Sequence, residues 1–195
     1  MGPINSVPPV LLFFAAFASN EKSLDWAHRR AESEFGPIEL VGGPFRFDRF
    51  TGYYAEAMGN ILFKRLWGFR RPIDPATLPD IKRLANDWEA EYATTGSESV
   101  VRPLNLDPGY VDLGKLILAS TKNHAHRIYL RDGIFAETTL IYTKKQWMPL
   151  PWTYPDYQSP EYHEFLNRCR EFLRATRPIA SEVDTANGRA FARIS

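Results

Sequence analysis

The hydrophobic and polar positions alternate between two periods along the chain. Val10 to Ala18, VLLFFAAFA, is an unbroken apolar run of strand length, as expected for a strand buried on both faces. After Ser19-Asn20, which can cap a helix, Leu24, Ala27, Ala31 and Phe35 recur at helical spacing until Gly36-Pro37 stops them, so a helix is expected over about 21–35. Ile38 to Val41 reads as a short strand ended by Gly42-Gly43-Pro44. Tyr53 to Met58 allows a helical turn, and Ile61 to Arg71 alternates as a strand, with Phe63, Arg65 and Trp67 set against Lys64 and Leu66. Asp74-Pro75 opens a helix over about 75–93, with Leu78, Ile81, Leu84, Ala85 and Trp88 inward. A polar loop, Thr94 to Ser99, leads to a strand over Val100 to Leu106. Asp107-Pro108-Gly109 then reads as a turn. Val111 to Ser120 fits a short helix or an apolar strand, and the helix is the expectation.

His124 to Tyr142 reads as a β-hairpin about Asp132-Gly133, because both central residues of a type I′ turn need positive φ. If Arg131 faces Ile134, then Ile128 lies opposite Glu137, His126 opposite Thr139 and His124 opposite Ile141. His124, His126, Glu137 and Thr139 would share one face, and Arg127, Tyr129 and Thr138 the other. MPLPWTYPDYQSP is expected to be extended. Ser159-Pro160 starts a helix to about Arg174, with Tyr162, Phe165, Leu166, Cys169 and Phe172 on one face. Up to residue 106 the order is β-α-β-β-α-β, that of a ferredoxin-like split βαβ. The expected fold is therefore an α+β, ferredoxin-like βαββαβ sandwich elaborated by a C-terminal β-hairpin and helix. Residues 1–175 are expected to form one domain and residues 176–195 a disordered tail.

Composition narrows the class. Hydrophobic residues make 44% and charged residues 24%, ordinary globular values, and the net charge of +1 gives no overall field for nucleic acid or membrane. Arg65, Trp67, Arg70 and Arg71 interleave base and aromatic, but without an RNP-type signature nucleic acid is not the expected partner. The lone Cys169 fits a reducing, cytoplasmic compartment and excludes a thiolate zinc cluster. Val10 to Ala18 ends like a signal-peptidase site but lacks a basic lead, and it is far short of the ~20 residues of a membrane span. Met1-Gly2…Ser6 matches the myristoylation pattern formally, with Pro3 after the glycine.

The chemistry concentrates near the hairpin. Lys122, His124, His126 and Arg127, with Ser120 and Thr121, gather cations and hydroxyl donors in an otherwise neutral chain, a set able to hold phosphate or carboxylate. His124 and His126, about 7 Å apart along a strand, with Glu137 opposite, form a two-His, one-carboxylate set for a divalent metal. Asp107 and Tyr110, with Asn105, flank the Pro-Gly turn, and Asp156-Tyr157 follow Tyr154-Pro155. Each pair could serve acid–base work, but such residues more often cap their own turn and pack. The sequence holds no G-x-x-x-x-G-K-[ST], G-x-G-x-x-G, H-E-x-x-H, G-x-S-x-G or N-K-x-D, and no pair of H-x-[ST] motifs, which disfavours P-loop nucleotidases, Rossmann dehydrogenases, zincins, α/β-hydrolases and 2H phosphoesterases.

The strings PVLLFFAAF, LDWA, RPIDP, RPLNLDPGYV, KLILASTKNHAHRIYL, DGIFAE and PLPWTYPDY together resemble a bacterial family catalogued as a domain of unknown function, over roughly residues 8–174. The resemblance implies a stand-alone, soluble bacterial protein and carries no activity. Three expectations follow. The first is binding of a small anionic ligand, a nucleotide among the candidates, near His124–Arg127. The second is a metal-dependent hydrolase using His124, His126 and Glu137. The third is a non-enzymatic module that meets a protein partner through its aromatic surface. Whether the chain is an enzyme is left open.

Overall fold

The computed structural model describes residues 6–95 and 100–177. A single antiparallel sheet of eight strands is covered on both faces by helices. The strands are β1 (Leu11–Ala18), β2 (Ile38–Arg46), β3 (Phe63–Phe69), β4 (Leu104–Asp112), β5 (Lys115–Ser120), β6 (Ile128–Arg131), β7 (Ile134–Thr143) and β8 (Gln146–Pro149). Their order across the sheet is β2-β3-β1-β4-β5-β7-β6, with β8 pairing the far half of β7. The helices are α1 (Glu21–Phe35), the four-residue α2 (Ala55–Met58), α3 (Leu78–Thr95) and α4 (Pro160–Thr176).

The apolar run predicted as a buried strand is β1, and all eight of its residues are buried. Alternation sends its two side-chain rows into different cores. Leu11, Phe13 and Ala15 pack with Tyr162, Phe165, Leu166 and Cys169 of α4, while Leu12, Phe14, Ala16 and Ala18 pack with α1 and α3 through Leu24, Ala27, Ile81, Ala85 and Trp88. Asn20 caps α1 by accepting from the Ser23 N–H at 2.9 Å, and Gly36 ends it at a φ of 86°. Asp74 accepts from the Ala76 N–H at 2.9 Å and opens the turn that feeds α3.

Three sequence expectations are corrected. Asp107-Pro108-Gly109 is not a turn: it lies inside β4. Val111 to Ser120 is not a helix. It is the end of β4, a tight connection and β5, with Leu116 and Leu118 in the α4 core while Ile117 and Ala119 pack with Leu78 and Ile134. Burial on both faces makes consecutive positions apolar, and that erases the two-residue period by which a strand is recognised. The hairpin is shorter than expected. Asp132 and Gly133 do turn it, with φ of 53° and 76°, but β6 begins only at Ile128. Its register shifts between Tyr129 and Arg131, so Ile128 pairs with Ala136 rather than Glu137. Arg131 does face Ile134.

The strand expected over Ile38 to Val41 continues through the glycines to Arg46, at the cost of irregular pairing with β3. β8 begins two residues before the segment expected to be extended and takes in its Met148 and Pro149. The polar loop Thr94–Ser99 overlaps the last turn of α3, and residues 96–99 lie outside the described residues. So do most of the expected tail, from residue 178, and most of the formal myristoylation pattern. No helix among the described residues is long and apolar enough to cross a membrane.

Candidate functional site

The sheet forks between β4 and β5. Their ladder runs only from Gly109↔Leu118 to Asp112↔Lys115. Beyond it, Leu104 to Pro108 stay with β1, while Ala119 and Ser120 stay with β7. Pro108 has no N–H to offer a neighbour, and it sits one residue past the last pair. Gly109 is at the apex, where the strands approach so closely that a Cβ would overlap the Ile117 carbonyl oxygen. The Asp-Pro-Gly string that reads as a turn is thus the hinge point of the fork.

The fork opens into a cleft of about 690 Å³. β4 contributes Asn105 and Asp107 to its wall, β5 contributes Leu118 to Ser120, α3 contributes Lys82 and Asn86, and the start of β3 contributes Lys64. The β2–β3 connection closes one side with Phe47, Phe50, Tyr53 and Tyr54. The turn Tyr154-Pro155-Asp156-Tyr157 closes another. Five cations (Lys64, Lys82, Arg102, Lys122 and Arg127) line it against three carboxylates (Asp107, Glu137 and Asp156).

Most of these charges are paired, and two of the pairs are buried. Lys64 Nζ donates to Asp156 Oδ2 at 2.7 Å, with each side chain 3% exposed. Four rings surround that ammonium, from Phe47 at 4.2 Å to Tyr162 at 5.8 Å between Nζ and centroid. Lys82 Nζ donates to the Leu106 carbonyl at 2.8 Å and lies 3.7 Å from Asp107. Arg102 pairs with Glu89 at 2.8 Å and also donates to Asn105. Burial of Glu89 raises its carboxyl above the ordinary value, against the pull of Lys82 and Arg102. Burial likewise raises the Tyr54 phenol, and nearby Asp107 adds to the shift.

Of the residues singled out in the sequence, Asp107, Lys122, His124, Arg127 and Glu137 line the cleft, and His126 and Tyr110 do not. His124 and His126 sit on a turn, closed by the Arg127 N–H bonding the His124 carbonyl at 2.9 Å, not on a strand. Arg127 and His126, expected on opposite faces, converge on one oxygen. Glu137 Oε2 accepts from Arg127 Nε at 2.7 Å and lies 3.1 Å from His126 Nε2. The other side of the His126 ring stacks on Trp152, with centroids 4.9 Å apart and planes within 7°. Arg127 also donates to Ser120 Oγ at 2.6 Å and to the Lys122 carbonyl at 3.1 Å, so it braces the loop that carries Lys122. Lys122 is exposed, its ammonium 5.4 Å from the Tyr53 ring across the mouth. Tyr110 packs against the small core of Leu78, Ile117, Ala119 and Ile134. Among the described residues no three His, Cys, Asp or Glu side chains are grouped as a metal set.

Lys64 and Lys82 were missed as site residues, and both left a signal. Lys64 is in phase with buried Leu66 on its strand, and Lys82 interrupts the inward stripe between Leu78 and Ala85. A lysine at a core position of an otherwise regular pattern needs a partner.

The fold and cleft together define an α+β protein with a forked antiparallel sheet and a charged, aromatic-walled cavity of small-molecule size. The chain belongs to the family described as a domain of unknown function (DUF4416), whose model matches residues 8–172. No curated protein and no solved structure is a significant match to the chain.

Proposed function

We propose that this protein binds a small anionic molecule of nucleotide size in the forked cleft. The observation that carries the reading is the lining itself, five cations against three carboxylates within about 690 Å³, between aromatic walls. Ion pairs as buried as Lys64–Asp156 and Arg127–Glu137 contribute little net stability relative to apolar packing. Their gathering at one cavity is what ligand recognition requires. The exposed Lys122 is the cation placed to receive the anionic group, and Arg127 is the brace that holds its loop.

The test is a thermal-melt panel of wild type and Lys122→Ala with phosphate, ATP, GTP, zinc, manganese and chelator. A ligand at ~100 times its dissociation constant adds about 2.7 kcal/mol. The expected result is a rise with a phosphate-bearing compound, without metal, that is reduced in Lys122→Ala. A metal-dependent rise abolished by chelator would instead favour a divalent metal on His124, His126 and Glu137. A flat panel would favour the protein-interaction module.

We also read the first four strands with α1 and α3 as a ferredoxin-like unit, supported by the order β2-β3-β1-β4, to which the remaining strands are added. The lone, buried Cys169 thiol and the family's strings support a bacterial, cytoplasmic setting.

A further inference from the structure

Several buried polar atoms among the described residues have no hydrogen-bond partner, and of these Tyr157 Oη alone belongs to a residue that lines the cleft. Its residue is 2% exposed. A buried hydroxyl left unpaired is costly in any folded chain, so a partner supplied from outside is the natural explanation. The Lys64 ammonium lies 5.0 Å from the centroid of the same ring. Among the described residues its one polar acceptor is Asp156 Oδ2, and Tyr162 also donates to that oxygen, at 3.0 Å. An ammonium carries three N–H donors, so Lys64 retains donors that no protein acceptor takes up.

Tyr157 and Lys64 both line the cleft, and both keep hydrogens that no polar acceptor among the described residues takes up. We propose that these two residues hold a neutral carbonyl oxygen of the ligand, bonded by the Tyr157 hydroxyl and the Lys64 ammonium, so that the cleft selects an anionic molecule bearing a keto group over one bearing an amino group there.

The inference rests on the anion-binding reading of the same cleft. Charge decides between a carbonyl and a second anion. Lys64 is already neutralised by Asp156, and Phe17, Phe47 and Tyr162 surround the pair, so an added carboxylate would be an uncompensated charge among rings. A carbonyl supplies lone pairs and no net charge. An amino group would set N–H against N–H and O–H. Burial raises the Tyr157 phenol well above its ordinary value, so the hydroxyl keeps its proton and acts as a donor.

The test compares inosine 5′-monophosphate with adenosine 5′-monophosphate, which carry a keto and an amino group at the same ring position, the keto form also bearing an N–H at the adjacent ring nitrogen. Calorimetric titrations would use wild type and Tyr157→Phe. Wild type should bind the inosine nucleotide about tenfold more tightly, the worth of one good hydrogen bond. Tyr157→Phe should bring the two affinities together and leave the melting temperature of the free protein unchanged or higher, because the hydroxyl has no partner there. Equal affinities in wild type, or a preference for the amino compound, would overturn the keto assignment while leaving the anion site standing. Binding of neither nucleotide would overturn both. A lowered melting temperature in Tyr157→Phe would overturn the assignment of its hydroxyl to the ligand.

Discussion

Lys64 and Asp156, ninety-two positions apart in sequence, meet at 2.7 Å with both side chains 3% exposed. Their contact ties the start of β3 to the turn before α4, and it forms part of the cleft wall. Asp156→Ala would leave the ammonium buried without its carboxylate and the Tyr162 hydroxyl without its acceptor. The expected loss is about 3–5 kcal/mol, seen as a melting temperature lower by roughly 10 °C or more in a chain of this size. The double substitution Lys64→Met with Asp156→Leu should recover most of that loss while removing the charged end of the cleft. Denaturant titration of the three proteins checks the order.

Arg127→Ala removes a brace and leaves Glu137, 2% exposed, with His126 and the Thr139 hydroxyl but without its guanidinium. Two consequences are expected together. Stability falls by about 3–5 kcal/mol, as when one partner leaves a buried ion pair, and amide exchange accelerates across Ser120–His124 because the Ser120 and Lys122 tethers are gone. Arg127→Lys should not restore both, since an ammonium cannot reproduce the guanidinium fork. Exchange rates unchanged in Arg127→Ala would contradict the bracing role.

Gly109→Ala places a methyl group against the Ile117 carbonyl and 2.8 Å from Leu118 Cδ2. The strands must part for it, at a cost of about 1–3 kcal/mol. Because Gly109 is the apex of the fork, the loss should come with a changed response to cleft ligands. Gly114→Ala serves as the control, since nothing lies within 4 Å of its added carbon.

His163 on α4 gives a pH dependence of stability. Burial lowers its imidazole from the ordinary value. The unfolded chain therefore takes up the proton first as pH falls, so the stability His163 contributes is present above about pH 6.5 and is lost as pH drops through the folded-state value. His163→Gln should flatten the decline of melting temperature between about pH 7 and 5. An unchanged decline would assign it to other groups.

Much of the framework was legible in the sequence. The caps at Asn20 and Asp74, the stripe Leu24-Ala27-Ala31, the all-buried β1 and the Asp132-Gly133 turn all follow from local chemistry. The passages that misled have two causes. In the middle of a sheet covered on both faces, Leu116-Ile117-Leu118 lose the alternation that marks a strand. Pro108-Gly109 serves a fork, where neighbouring strands part, by the same properties that serve a turn. The candidate site was half visible. Lys122, His124, Arg127, Glu137 and Asp107 were singled out and line one cleft. The convergence of His126 and Arg127 on Glu137 was hidden because both sit on the turn before β6, where strand alternation does not apply. Lys64 meets Asp156 through a long-range fold contact that no local spacing encodes.

The most direct test of the account is hydrogen exchange of the whole protein with and without saturating inosine 5′-monophosphate, read peptide by peptide. The cleft predicts protection in the segments that line it, above all 50–54, 118–124 and 154–157, which reach the cavity from different parts of the chain. Protection only outside the lining segments, or none under conditions where binding is seen, would contradict it.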